Sequence, residues 1–172
     1  MAKLENRAFL AYDIENTFGG LAAHTKIKEL ELAYRSTQMA LITPGLKMMK
    51  STAMSKSFVR YRHLDLSMSQ AHLGTFQFVE GKDAADLYLL EVLFYDPAVT
   101  RSSDIIIASG DKIFLPAVEW LRSNGRRVHL YARRSATSPY VLEQFDSTTW
   151  APEVQLDDDT EDEGGEDGDD YC

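Results

Sequence analysis

The 172-residue chain is long enough for one domain, and its 44% apolar residues are sufficient for an ordinary hydrophobic core. No apolar run reaches the roughly 18–20 residues that cross a bilayer, and charged residues interrupt the apolar stretches of the N-terminus, which argues against a membrane span and a secretory signal. Cys172 is the single cysteine and allows no intrachain disulfide, so we expect a soluble, cytoplasmic protein with no membrane partner.

The net charge of −9 comes from one end of the chain. Eleven of the 27 acidic residues lie between Ala151 and Cys172, where there is no Lys or Arg, so the remainder has 16 acids, 18 bases and a formal charge of +2. We expect a folded domain over residues 1–150 and a disordered acidic tail over 151–172. The tail either improves solubility, which we favour, or mimics nucleic acid and covers a basic surface.

The first half of the chain predicts a mixture of strands and helices. Arg7–Ile14 is short and apolar, which predicts a strand. Apolar residues at helical spacing predict a helix over 26–35, and Pro44 suits the first turn of a helix that runs to about Lys56. Further extended segments are expected at 38–43, 58–63 and 75–79.

The second half alternates strands and helices more clearly. Residues 104–108, DIIIA, form a β-branched run that is typical of a central parallel strand buried on both faces. Another strand is expected at 127–132, and helices are expected at 83–94, at 114–123 with Gly125 as its C-cap, and from Ser138 to about Phe145. This alternation predicts an α/β fold with a doubly wound, mainly parallel sheet flanked by helices.

Three aspartates are expected at the carboxyl edge of that sheet, where open α/β sheets bind their ligands. Asp13 ends the first strand, Asp111 follows the DIIIA strand, and Asp86 lies in the first turn of a helix. Grouped carboxylates raise one another's pKa unless a cation lies between them, and ligands that are all oxygen suit Mg²⁺ or Mn²⁺. We therefore predict a catalytic metal site formed by these three residues, lined by Glu15, Asn16 and Ser109.

Each aspartate also has a purely structural interpretation. Asp83 and Asp86 could cap the N-terminus of a helix, where the dipole favours negative charge. Asp111 could be an ordinary turn residue. Asp13 is harder to explain in this way, because a charged residue at the end of an apolar strand needs a partner. The occurrence of all three at one edge favours a functional site.

A basic segment without acids runs from Leu32 to Leu64. Cations interleaved with aromatic residues are typical of single-stranded nucleic-acid binding, although a solvated basic face with core aromatics has the same pattern. Two arginines that follow a later strand could extend this surface to the acidic site. The predicted RNA-binding residues are Lys47, Lys50, Lys56, Arg60, Arg62, Arg133 and Arg134.

Three motifs in this order resemble the NYN domain, a branch of the PIN-like superfamily of metal-dependent ribonucleases. They are DIEN at 13–16, GKDAADLYLLEVL at 81–93 and DIIIASGDKIF at 104–114, and the strand RRVHLYARR follows them. The resemblance covers residues 7–150 and implies hydrolysis of RNA with Mg²⁺ or Mn²⁺. By this likeness Asp13, Asp86 and Asp111 hold one or two ions, and Asn16 and Ser109 line the site.

One departure from the family pattern leaves a second function open. Many NYN domains carry an acid two residues after the position of Asp111, and Ile113 stands there in this chain. A catalytically inactive module that binds RNA or protein is therefore the main alternative, and a homo-oligomer stays open. A phosphatase of the haloacid dehalogenase type is less favoured, because it needs a second aspartate where Glu15 stands.

Overall fold

A six-stranded sheet organises the chain, which the computed structural model describes at residues 5–13, 16, 47–55 and 75–151. Its strands are β1 (Glu5–Asp13), β2 (Lys47–Ser55), β3 (Thr75–Val79), β4 (Ser102–Ala108), β5 (Arg127–Ala132) and β6 (Ser147–Trp150). The helices are α1 (Ala84–Tyr95), α2 (Pro97–Arg101), α3 (Leu115–Ser123) and α4 (Pro139–Leu142), with 3₁₀ turns at Lys112–Phe114 and Arg134–Ala136.

The strand order is β3-β2-β1-β4-β5-β6, and every neighbouring pair is parallel. The chain starts at the centre of the sheet, proceeds to one edge, and then crosses over to build the other half. This order defines a doubly wound sheet, whose switch point lies between β1 and β4. The predicted fold class is therefore confirmed.

β4 and its neighbours form the centre of the core. Ile105 and Ile107 are fully buried on the face covered by α1 and α3, and Ile106 is buried on the opposite face. The two helices meet each other where the ring of Phe94 lies 5.3 Å from that of Trp120. Burial on both faces explains the unbroken β-branched sequence of this strand, as predicted.

The predicted helix from Pro44 to Lys56 is wrong, because residues Lys47–Ser55 form β2. Its Lys, Met and Ala residues favour a helix in isolation. However, β2 lies between β1 and β3 and gains hydrogen-bond ladders on both sides, which outweigh that preference. The segments predicted at 26–35, 38–43 and 58–63 lie outside the described residues, as does the tail from 152 onwards.

The end of the domain also differs from the prediction. The predicted helix from Ser138 to Phe145 ends at Leu142, and the short strand β6, which was not predicted, follows it. Asp146 helps to position this strand, because its Oδ2 accepts a 2.7 Å hydrogen bond from the Val128 amide of β5. Gly125, with φ of 76°, follows α3 as expected for a C-cap glycine. Within the part of the chain that is described, no helix is long and apolar enough to span a membrane.

Candidate functional site

Asp13 and Ser109 join the carboxyl ends of the two central strands. Asp13 is the last residue of β1 and is only 3% exposed. Ser109 directly follows β4, and its Oγ donates a 3.0 Å hydrogen bond to Asp13 Oδ2. The strand register brings them together, because Tyr12 is paired with Ala108. A buried carboxylate therefore lies at the switch point of the sheet, where ligands bind in open α/β folds.

Asn16 links three loops at this edge. Its backbone N–H donates to Asp13 Oδ1 over 3.1 Å, and its side-chain Oδ1 accepts from the Gly110 N–H over 2.9 Å. Its carbonyl oxygen accepts from Arg133, 3.3 Å from Nε and 3.2 Å from Nη2. Asn16 thus holds the ends of β1, β4 and β5 in one hydrogen-bonded unit, a role beyond the lining position that was predicted.

Asp111 is exposed and lies next to Ser109. Its backbone N–H donates to Ser109 Oγ over 3.3 Å. Its Oδ1 accepts a 3.0 Å bond from the Ile113 N–H and caps the 3₁₀ turn at Lys112–Phe114. Asp111 is therefore a turn residue, as its structural interpretation states. The same residue is nevertheless connected through Ser109 to the buried Asp13.

Gly110 allows a close approach that no other residue permits. A Cβ atom at this position would lie 2.5 Å from Thr137 Oγ1 and 2.8 Å from the Ala136 carbonyl oxygen. The Ser109–Asp111 turn therefore packs directly against the loop that follows β5. Sequence reasoning did not identify Gly110 or Thr137, and the only available signal was a glycine between two candidate site residues.

Asp86 lies in the first turn of α1 and is half-buried. Because α1 follows β3 and packs on β1 and β2, its first turn belongs to the carboxyl edge of the sheet. Asp83 precedes α1 in a left-handed conformation, with φ of 55°, and its side chain makes no cap hydrogen bond. Asp83 thus occupies the predicted N-cap position of α1 without making the side-chain cap hydrogen bond, and Asp86 supplies negative charge in the first turn, as the structural interpretation expects. Among the described residues, no three His, Cys, Asp or Glu side chains are grouped closely enough to form a metal site.

The predicted RNA-binding residues have different surroundings. Arg133 is half-buried and bonded to Asn16, whereas Arg134 is exposed, with its Cζ 5.1 Å from the centre of the Trp150 ring. Lys47 and Lys50 lie in β2. The remaining candidates lie outside the described residues, namely Glu15, Lys56, Arg60 and Arg62.

A second charged cluster occupies the amino end of β4 and β5. Asp104 Oδ2 accepts a 2.8 Å bond from Arg127 Nη2 and a 2.6 Å bond from Ser103 Oγ. His129 Nε2 lies 3.0 Å from Asp104 Oδ1, and its Nδ1 lies 2.8 Å from Ser147 Oγ. Burial raises the pKa of Asp104, but the hydrogen bonds from Arg127, Ser103 and His129 outweigh it and lower the pKa below its ordinary value. This cluster joins β4, β5 and β6 at the end of the sheet remote from Asp13.

Fold and site together define a doubly wound α/β domain with carboxylates at the switch point of its sheet. The sequence profile of the NYN domain matches residues 25–151, and the chain belongs to this family. The match includes Asp86 and Asp111 and begins after Asp13. NYN domains are generally nuclease-like, and nucleases of the PIN-like type generally use divalent metals.

A solved structure shares the fold. A protein of unknown function from Vibrio parahaemolyticus is 12% identical to this chain and superposes with a TM-score of 0.59, covering 88% of this chain and 96% of its own. At this identity the likeness concerns the fold alone. No curated protein matches the chain.

Proposed function

We propose that this chain is a cytoplasmic, divalent-metal-dependent ribonuclease that hydrolyses RNA phosphodiester bonds. The observation that carries the proposal is the hydrogen-bonded connection from Asp13 through Ser109 to Asp111 at the switch point of the sheet. This position is where open α/β sheets bind ligands, and membership of a generally nuclease-like family favours a nucleic-acid substrate.

The donor set suits Mg²⁺ or Mn²⁺, held by Asp13, Asp86 and Asp111. These residues provide only oxygen atoms, the ligands that hard cations prefer. Mg²⁺ keeps several waters and is usually bound through one or two protein carboxylates, so it does not require three side chains in direct contact. When bound, such an ion polarises a phosphoryl oxygen and lowers the pKa of a bound water.

The protein residues orient and neutralise the reacting groups. The Asn16 N–H and the Ser109 hydroxyl each donate to one oxygen of Asp13, which fixes the carboxylate plane. A fixed carboxylate avoids reorganisation when the substrate binds. Arg133 and Arg134 follow β5 at the same edge and supply positive charge for RNA phosphates. Lys47 pairs with Arg7 at the amino end of β2, and Lys50 pairs with Leu10 before its carboxyl end. Of the other predicted basic residues, we therefore propose that those at 56, 60 and 62 extend this charge along the substrate.

A non-catalytic RNA- or protein-binding module is the second candidate. It is favoured by Ile113, whose side chain offers no ligand and whose N–H already occupies Asp111 Oδ1. One oxygen of Asp111 is engaged in the cap, and Ile113 stands where many NYN domains carry a second acid. Fewer oxygen atoms are therefore left to bind a metal ion. The two candidates differ in a single respect, namely whether bound RNA is cleaved when a divalent ion is added.

Cleavage of end-labelled single-stranded RNA in Mn²⁺, in Mg²⁺ and in EDTA tests the proposal. We expect metal-dependent cleavage by the wild type, loss of cleavage with Asp13→Asn, and retention with Asp104→Asn, which changes a carboxylate at the other end of the sheet. Cleavage that persists in EDTA and with Asp13→Asn would contradict the proposal. RNA binding without cleavage under any condition would support the binding module instead.

A further inference from the structure

Arg134 and Trp150 form a cation–π pair at the carboxyl edge of the sheet. The Cζ atom of Arg134 lies 5.1 Å from the centre of the Trp150 ring, within the 6 Å or so over which this attraction acts. Arg134 begins the 3₁₀ turn after β5, and Trp150 ends β6, where it is paired with Ala132. The pair therefore lies at the same edge of the sheet as Asp13 and Ser109, on the side of the last strand.

The loop after β5 connects this pair to the acidic site. Arg133, the residue before Arg134, donates twice to the Asn16 carbonyl, and Asn16 in turn donates to Asp13. Two residues after Arg134, the Ala136 carbonyl oxygen lies against Gly110. Arg133 is thus held in position by Asn16, whereas the exposed Arg134 remains accessible to a ligand.

A guanidinium lying on an aromatic ring is a planar surface suited to a nucleobase. Arginine stacks on aromatic faces, and unpaired RNA bases stack both on aromatic side chains and on guanidinium planes. Trp150 restricts the motion of Arg134 before any ligand binds, which reduces the entropy lost on binding. The positive charge adds attraction for the neighbouring phosphate.

We propose that Arg134 and Trp150 form a stacking subsite for an unpaired base of single-stranded RNA, next to the acidic site. The identity of the ligand rests on the function proposed above. A base within a duplex is already stacked between its neighbours and cannot enter such a subsite. The subsite therefore gives the protein a preference for single-stranded over double-stranded RNA.

Tryptophan fluorescence tests the location of the base. The chain has two tryptophans, and Trp120 packs against Phe94 between α1 and α3. Trp120→Phe leaves Trp150 as the only reporter, and Trp150→Phe leaves Trp120. We expect an oligonucleotide of single-stranded RNA in EDTA to quench the fluorescence of Trp120→Phe and not that of Trp150→Phe. Equal quenching in both variants, or none in Trp120→Phe while binding is detected by anisotropy, would overturn the subsite.

Affinity measurements test the stacking itself. Arg134→Lys keeps the charge and removes the planar guanidinium, and Arg101→Lys is the matched control on the exposed end of α2. We expect Arg134→Lys to weaken binding of single-stranded RNA about 5-fold or more, with little change in the salt dependence and no change for duplex RNA. Arg101→Lys should bind as the wild type does. No loss with Arg134→Lys would indicate simple charge attraction, and equal losses for both forms of RNA would indicate that the guanidinium binds a phosphate that both forms share. Either result would overturn the proposal.

These readouts separate the subsite from the catalytic proposal, because both are made without a divalent ion. Quenching of Trp150 with no cleavage in Mn²⁺ would retain the subsite and reject the ribonuclease. Metal-dependent cleavage with no quenching of Trp150 would retain the ribonuclease and reject the subsite.

Discussion

Ser109 donates its hydroxyl hydrogen to the Asp13 carboxylate over 3.0 Å, although the two residues are 96 positions apart in the chain. Ser109 Oγ also accepts the Asp111 N–H over 3.3 Å. One buried hydroxyl therefore connects the end of β1 to the turn after β4. The geometry of the acidic site depends on this connection, which leads to tests of the neighbouring residues.

Ser109→Ala should lower the free energy of unfolding by about 1–3 kcal/mol, because it removes a buried hydrogen bond to a carboxylate and an acceptor for the Asp111 N–H. Urea denaturation measures the change. Ser123→Ala is the matched control, since Ser123 is exposed and its Oγ donates to the Trp120 carbonyl of the same helix. Equal losses of unfolding free energy in the two variants would show that the buried hydrogen bonds of Ser109 stabilise the fold no more than the hydrogen bond of an exposed serine.

Asp111→Asn and Asp111→Ala separate the chemical role of Asp111 from its capping role. Asparagine keeps an oxygen that can accept the Ile113 N–H, whereas alanine leaves that donor without its side-chain partner. We expect both variants to lose RNA cleavage, and only Asp111→Ala to lose about 1 kcal/mol of stability. Circular dichroism checks that Asp111→Asn is folded. Full cleavage activity in this variant would show that Asp111 is only a capping residue.

Gly110→Ala should destabilise the protein by about 1–3 kcal/mol, a cost typical of overpacking. The added methyl would lie 2.5 Å from Thr137 Oγ1 and 2.8 Å from the Ala136 carbonyl oxygen, so the loop after β5 must move. Gly125→Asn serves as the control, because a Cβ there would meet no atom of the described residues beyond its chain neighbours within 4 Å, and asparagine tolerates a positive φ. Thermal denaturation compares the two; a Gly110→Ala protein as stable as the wild type would contradict the close packing of the two loops.

The pH dependence of stability tests the Asp104 cluster. Burial raises the pKa of Asp104, but hydrogen bonds from Arg127, Ser103 and His129 lower it further than burial raises it. Because the folded pKa lies below the unfolded value of about 4, ionised Asp104 stabilises the fold above that pH, and the contribution is lost as the pH falls through the folded pKa. The difference in unfolding free energy between wild type and Asp104→Asn should therefore shrink below about pH 4. A difference that stays constant from pH 7 to pH 3 would contradict this assignment.

The sheet was predictable where the local sequence and the tertiary surroundings favour the same structure. The β-branched DIIIA run suits a strand buried on both faces, and Gly125 suits a C-cap with positive φ. Residues 47–55 were predicted as a helix because their intrinsic preference is helical, and pairing with two neighbouring strands overrides it. The four-residue β6 is too short for a periodic pattern, and its pairing with β5 is visible only in the fold.

The positions of the candidate site residues were predictable to the extent that parallel strands carry their carboxyl ends to one edge. Asp13, Asn16, Ser109 and Asp111 were identified by that rule and by family likeness, and hydrogen bonds connect them in the structure. The contact between Gly110 and Thr137 could not be predicted, because it depends on the packing of two loops. The same applies to the Arg134–Trp150 pair, whose members come from different strand ends.

Direct binding of Mn²⁺, followed by electron paramagnetic resonance, tests the central claim that Asp13, Asp86 and Asp111 share a divalent ion. Asp83→Asn, at the exposed start of α1, and Asp104→Asn, at the far end of the sheet, are the controls. We expect the wild type and both controls to bind Mn²⁺, and Asp13→Asn, Asp86→Asn and Asp111→Asn each to bind it at least about 10-fold more weakly while remaining folded. Equal Mn²⁺ binding by all six proteins, or no binding by the wild type, would contradict the account.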